Sequence, residues 1–176
     1  METKVLAFFI LILTPHLTKC DTSLTLQTQN INVTLRKGNA IQQQFLQPHN
    51  TLRAKLGLPP LKWSRSLAAY SYRWAKTRLT DCELIHSHGD FGENLFWGSG
   101  SGWSPRDAAV AWASERKNYD WRSNRCKPNR DCLHYTQMVW KNSLRIGCAT
   151  VVCKTGDTFV ICDYDPPGNV VGQKPF

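Results

Sequence analysis

Residues 86–94 read His86-Ser87-His88-Gly89-Asp90-Phe91-Gly92-Glu93-Asn94, two imidazoles and a carboxylate within nine positions. Imidazole is a common metal ligand and the usual near-neutral acid–base group, and a carboxylate can orient it or work beside it. If residues 86–88 are extended, His86 and His88 share a face, so parity admits both as ligands and does not choose between them. Glu93 lies an odd step from each and faces away unless Gly89 or Gly92 bends the chain. Beyond residue 20, two further histidines, His49 and His134, stand elsewhere, and Glu115 ends an otherwise apolar helical stripe of Ala108, Ala111 and Trp112. Glu93 and Glu115 could pair for glycoside hydrolysis, but their separation is not a property of the sequence. A histidine at such spacing is more often a surface or hydrogen-bonded core residue, so spacing alone carries little weight.

Other chemistries lack their motifs. There is no GxSxG elbow, HExxH pair, Walker A loop or GxGxxG segment. Gly98-Ser99-Gly100-Ser101-Gly102 reads as a flexible loop between Trp97 and Trp103, with no lysine to hold a phosphate. Large aromatics cluster at Tyr119 and Trp121, where binding and packing are equally good readings.

These residues need elements to position them. Ile41, Phe45, His49, Leu52 and Leu56 have helical spacing, with Pro48 predicting a kink or a late start and Gly57 a stop. Leu67, Tyr70, Ser71 and Trp74 form a second stripe. Ser104-Pro105-Arg106-Asp107 offers an N-cap, an N1 proline and an N3 acid for a third. A short fourth helix is predicted over His134 to Val139. Ile146–Val152 and Thr158–Asp163 read as strands joined by a turn at Lys154-Thr155-Gly156-Asp157. Helices and strands mix without βαβ alternation, which is the α+β pattern.

The 176 residues suit one domain with its own core. Val5 to Leu13 is an apolar run too short to span a membrane, for which about 20 residues are needed. It reads as the core of a secretory signal peptide over residues 1–20. Cleavage after Cys20 leaves six of the seven cysteines, an even set for three disulfides in an oxidising compartment. Their spacing lacks the paired CxxC of many zinc sites, and six cysteines by themselves allow 15 connectivities. Residues 21–38, rich in Thr, Gln and Asn, read as a flexible polar arm with a glycosylation sequon at Asn32. The formal charge is +9, and +8 without residues 1–20, which hold Lys4, Lys19 and Glu2. That balance favours anionic cell-wall or membrane surfaces. The basic residues are scattered and no nucleic-acid-binding motif accompanies them, so nucleic acid is not an expected partner.

Three stretches carry a family resemblance. His134-Tyr135-Thr136-Gln137-Met138-Val139-Trp140 resembles the first signature of the CAP superfamily of cysteine-rich secretory, antigen 5 and pathogenesis-related 1 proteins. Ile161-Cys162-Asp163-Tyr164-Asp165-Pro166-Pro167-Gly168-Asn169-Val170 resembles its second signature, and Gly92-Glu93-Asn94 its GEN strand. The terminal PPGNVVGQKPF looks like the plant pathogenesis-related 1 branch. The resemblance covers residues 39–176, within which it runs from about Ala40 to the end.

The resemblance implies a three-layer α-β-α sandwich with disulfides Cys82–Cys153, Cys126–Cys132 and Cys148–Cys162. It also implies a central tetrad of His86, Glu93, Glu115 and His134, leaving His88 a bystander and His49 outside the site. His86 and His134 would hold Zn²⁺ weakly, with waters completing the shell and the carboxylates accepting hydrogen bonds from those waters. It further implies a sterol- or lipid-binding loop at Tyr119 and Trp121, and a C-terminal signalling peptide, Pro166 to Phe176. Against the family pattern, Asp163 stands where asparagine is common and Phe176 where tyrosine is common. The expectation is a secreted, monomeric, extracellular defence protein of the apoplast type that binds a ligand; the alternative is a metal-dependent hydrolase using the tetrad.

Overall fold

The computed structural model describes residues 18–176, with side chains from Ser23 onward. The predicted signal peptide therefore falls largely on residues 1–17, outside the described residues. The chain divides into two compact units, Met1–Gly38 and Asn39–Phe176. Helix α1 covers Thr18–Lys55, so residues 21–38 are helical where the composition suggested an irregular arm. Leu24, Leu26, Ile31, Val33 and Leu35 are exposed along it. Asn32 is exposed as well. Pro48 lies inside α1 and does not end it. Gly57, at φ +68, closes the helix in the left-handed region that glycine enters without strain.

In the second unit the elements follow as β1 (Lys62–Trp63), α2 (Arg65–Thr77), β2 (Gly92–Gly98) and α3 (Pro105–Ser114). A 3₁₀ turn over Glu115–Asn118 leads to the short β3 (Tyr119–Asp120) and β4 (Arg125–Cys126). Then come α4 (Leu133–Met138), β5 (Arg145–Val152) and β6 (Thr158–Asp165). The main sheet has the order β1-β5-β6-β2, with β1 parallel to β5 and the other neighbours antiparallel. β3 and β4 pair separately.

Strand alternation sorts the core into two layers. Val160, Cys162 and Tyr164 of β6, with Ile146 and Cys148 of β5, pack on Phe45 and Leu52 of α1, Trp112 of α3 and Met138 of α4. Phe159 and Ile161, with Ala149 and Leu95, face the other way onto Ala75 of α2 and the Cys82–Cys153 pair. Helices on both faces of the sheet make the three-layer sandwich, and they explain why β6 is buried along nearly its whole length. Gly147 permits the close approach of α2. A Cβ there would stand 2.1 Å from the Ala68 backbone nitrogen, and a helix backbone cannot yield that much.

All six cysteines pair as the resemblance implied. Cys148–Cys162 crosses the β5–β6 ladder, Cys82–Cys153 ties the exit of α2 to the hairpin, and Cys126–Cys132 closes the loop entering α4. Ser104 and Asp107 form a full capping box on α3, with Pro105 at its first turn. Two buried polar residues join α1 to the sheet and to α4. His49 reaches the Tyr164 hydroxyl at 2.7 Å and the Phe45 carbonyl at 2.8 Å. Burial lowers its pKa to about 4, so it is neutral. Arg53 donates to the carbonyls of Pro59, Met138, Trp140, Lys141 and Ser143, clamping the end of α4 with no carboxylate partner among the described residues.

Candidate functional site

His86 sits in the segment between α2 and β2, and Glu93 is the second residue of β2. By strand parity Glu93 faces the α2 layer. His134 occupies the first turn of α4, and Glu115 opens the 3₁₀ turn behind α3, so both belong to the opposite layer. β2 is an edge of the sheet, and the two pairs converge around it. They border a cleft of about 390 Å³ lined by His86, His88, Glu93, Asn94, His134 and Asn169, among others. Glu115 stands behind His134. His88 reaches the same cleft, from a backbone at φ +54. His49 is buried elsewhere.

The carboxylates do not face the cleft freely. Glu93 Oε1 accepts from His86 Nδ1 at 2.6 Å, and Glu115 Oε1 accepts from His134 Nδ1 at 2.7 Å. A carboxylate only accepts, so each Nδ1 carries the hydrogen and each Nε2 is left as the ring's free nitrogen. The backbone N–H of Ser87 also donates to Glu93, and those of His134 and Tyr135 to Glu115. The resemblance implied carboxylates hydrogen-bonded to metal-bound waters; here each instead orients one imidazole, an arrangement common behind metal-binding histidines. The hydrogen bond that His86 donates to Glu93 raises the His86 pKa, against some burial. Burial pulls Glu93 upward, but the hydrogen bonds from His86 and Ser87 outweigh it and leave Glu93 lowered. Each partner thus favours the charged form of the other. His86 is 55% exposed and Glu93 6%, so ligands meet the ring and not the acid.

Of the two residues that the resemblance names for Zn²⁺, each keeps an Nε2 that its carboxylate does not engage. Among the described residues no group of three or more His, Cys, Asp or Glu is arranged to hold a metal ion.

A third carboxyl underlies the site, unassigned by sequence reasoning beyond its departure from asparagine. Asp163 on β6 lies directly across from Glu93 on β2 and from Gly147 on β5. It is fully buried, and its Oδ1 has no hydrogen-bond partner among the described residues. Its Oδ2 contacts Ser71 Oγ, which also meets the carbonyls of Leu67 at 3.0 Å and Gly147 at 2.9 Å. One hydroxyl hydrogen cannot serve three acceptors, so a proton on Asp163 completes the set. Burial pushes the Asp163 pKa up to about 7; Ser71 opposes this and the Glu93 carboxylate adds to it. Cross-strand register in the β6–β2 pair was the signal that could have exposed this residue.

The aromatic loop is built into the C-terminus. Trp121 stacks on Phe176 at 4.6 Å, and Lys174 Nζ sits 4.3 Å from the Trp121 ring centre. Tyr119 donates to Asn124 at 2.8 Å and tilts against Tyr135. Two cavities of about 270 Å³ flank Tyr119. One is walled by Leu56, Tyr135, Trp121 and Phe176, the other by Leu133, Trp140 and Val170.

Fold and motifs define the class, and the comparisons agree. Residues 46–164 match the family model described as CAP, the cysteine-rich secretory protein family, and the chain belongs to that family. Within it, relatives at 43–48% identity are plant pathogenesis-related 1 proteins. The chain is 48% identical to pathogenesis-related protein 1C of Nicotiana tabacum over 135 residues, 77% of this chain and 80% of that one. It is 46% identical to pathogenesis-related protein PR-1 of Medicago truncatula, over 80% and 82% of the two chains. Among solved structures, Na-ASP-1 matches with TM-score 0.65 at 25% identity, over 77% of this chain and 41% of that longer one. NaASP2, whose crystal structure is described as containing Zn²⁺, matches with TM-score 0.64 at 25% identity, over 77% and 84%.

Proposed function

We propose that this pathogenesis-related 1-like protein acts outside the cell as a binding protein for an apolar lipid or sterol, taken up at the loop carrying Tyr119 and Trp121. The observation that carries this reading is the pair of aromatic-walled cavities flanking Tyr119, beside a Trp121 that is 41% exposed. Exposed tryptophan beside an apolar recess is a recurrent means of holding a ligand with both apolar and polar parts. Three disulfides suit an oxidising compartment, and the relatives are pathogenesis-related proteins. Binding of a fluorescent sterol and a fluorescent fatty acid tests it. The double variant Tyr119→Ala, Trp121→Ala is expected to lose most of the binding, and equal binding by both proteins removes the loop from the account.

A second reading rests on the two carboxylate-oriented imidazoles. They support reversible Zn²⁺ binding through the free Nε2 atoms of His86 and His134, where the metal would polarise a bound water. With two protein ligands the site favours modest affinity over strong hydrolysis. Glu115→Gln weakens the hold on His134 and is expected to reduce Zn²⁺ affinity about 10-fold or more in calorimetry; unchanged affinity would count against this site.

Production of a C-terminal peptide from Pro166–Phe176 is a further part of the proposal. Pro166 and Pro167 are exposed at the end of β6, where a protease could reach.

A further inference from the structure

The basic residues that look scattered in the sequence are partly gathered by α2. That helix holds no acid between Arg65 and Thr77. Arg65, Ala69, Tyr72, Arg73 and Lys76 are exposed, and their spacing places them along one stripe. From Arg65 to Lys76 the stripe runs about 16 Å at the α-helical rise. Each aromatic residue of α2 carries a cation over its ring: Arg73 over Tyr70 at 5.7 Å, Lys76 over Tyr72 at 5.9 Å, and Arg78 over Trp74 at 5.4 Å. Tyr70, Arg73, Trp74 and Thr77 enclose a notch of about 200 Å³. Among the described residues Arg65, Arg73 and Lys76 make no ion pair; Arg78 alone meets an acid, Asp81 at 3.7 Å. Exposed Lys62 precedes the stripe, and exposed Lys154 stands at its far end, where its N–H donates to the Leu79 carbonyl.

We propose that the outer face of α2 docks a linear acidic polysaccharide, with carboxylates on Arg65, Arg73 and Lys76 and sugar rings against Tyr72 and the Tyr70–Trp74 notch. The charge is uncompensated and one-signed, so the occupant is anionic. The stripe is one helix wide, which suits a linear polymer. Ala69 and Tyr72 are its only exposed apolar side chains, so it offers little to insert into a bilayer. A disulfide-bonded protein meets extracellular polymers sooner than nucleic acid. The surface borders the tetrad cleft, since Tyr70 donates to Ser87 at 3.1 Å, but the proposal uses neither the tetrad nor the aromatic loop.

Binding of the disulfide-intact protein to de-esterified polygalacturonate is the test, at about 20 mM and 150 mM salt, a range over which exposed charges become strongly screened. Wild type is expected to bind at low salt and weaken at high salt, and fully methyl-esterified polymer is expected not to bind. Arg73→Ala with Lys76→Ala should weaken binding about 10-fold, and Tyr72→Ala by less. Arg122→Ala with Lys127→Ala, which removes the same charge elsewhere, should leave it nearly unchanged. Circular dichroism would verify that each variant folds. The proposal is overturned if wild type ignores the polymer at low salt, or if the Arg73/Lys76 and Arg122/Lys127 variants lose affinity equally. It is also overturned if phosphatidylserine vesicles or DNA displace the polymer at matched charge concentration.

Discussion

Asp163 shows how one residue can depend on its surroundings for its chemistry. Buried beside Glu93 and sharing Ser71 with two carbonyls, it holds a proton that a free aspartate loses near pH 3.8. A raised folded pKa contributes stability in full below the unfolded value and loses it as pH rises toward the folded one. Asp163→Asn keeps the shape and removes the titration. The wild type is therefore expected to lose stability relative to this variant between about pH 4 and pH 7, by on the order of a few kcal/mol. Denaturant unfolding at pH 4, 5.5, 7 and 8 measures it. A constant difference across that window would mean that Asp163 is ionised throughout. At this scale the sequence was informative about identity and weak about role. The imidazoles and carboxylates were visible as residue types, but strand parity left His86 and His88 equal, and family resemblance singled out His86. The Nδ1–carboxylate bonds could not be read from spacing, because Glu115 and His134 meet only through the turn of α3 against α4.

Among the elements, the C-terminal segment behaves as part of the fold. Ser143 donates to the Pro166 carbonyl, Gly168 to Gln137, Thr136 to Asn169, Asn169 to the Leu133 carbonyl, Asn124 to the Gln173 carbonyl and Lys141 to the Pro175 carbonyl. Phe176 adds its stack on Trp121. Cleavage between Asp165 and Pro166 breaks none of these, so the nicked protein is expected to retain its peptide. Size-exclusion chromatography before and after denaturation, with mass spectrometry of each fraction, checks this; a peptide that elutes free from the native nicked protein would contradict it. Elements were also where sequence and structure differed most. Residues 21–38 have the composition of an arm, yet they lie within α1, since uncharged Thr, Gln and Asn lower helix propensity only modestly. Pro48 was expected to disrupt the first helix. It stays inside, because the cost of a missing N–H is offset where flanking residues such as Phe45, His49 and Leu52 are buried.

For the whole molecule, the disulfides differ in what they constrain. Cys82–Cys153 closes a separation of 71 residues and Cys126–Cys132 only 6. The loop-entropy model assigns about 4 kcal/mol to the first and about 2 kcal/mol to the second. Replacing Cys82 and Cys153 together by alanine should therefore lower the unfolding midpoint more than replacing Cys126 and Cys132. The second change should instead be felt at Tyr119 and His134, whose segments that small ring joins. Thermal unfolding of the two double variants decides the order, and a reversed order would point to native-state strain or denatured-state structure over chain entropy.

Local pattern was enough to determine the helical stripes, the capped start of α3, the β5–β6 hairpin and the even set of cysteines, since periodicity, caps and turns depend on near neighbours. The motifs supplied the family, and the family supplied the pairing. Only the tertiary structure decided which carboxylate holds which imidazole, that Asp163 lies under Glu93, and that Phe176 stacks on Trp121. Each of these joins residues distant along the chain, and such contacts are set by sheet register and layer packing, which no local spacing encodes.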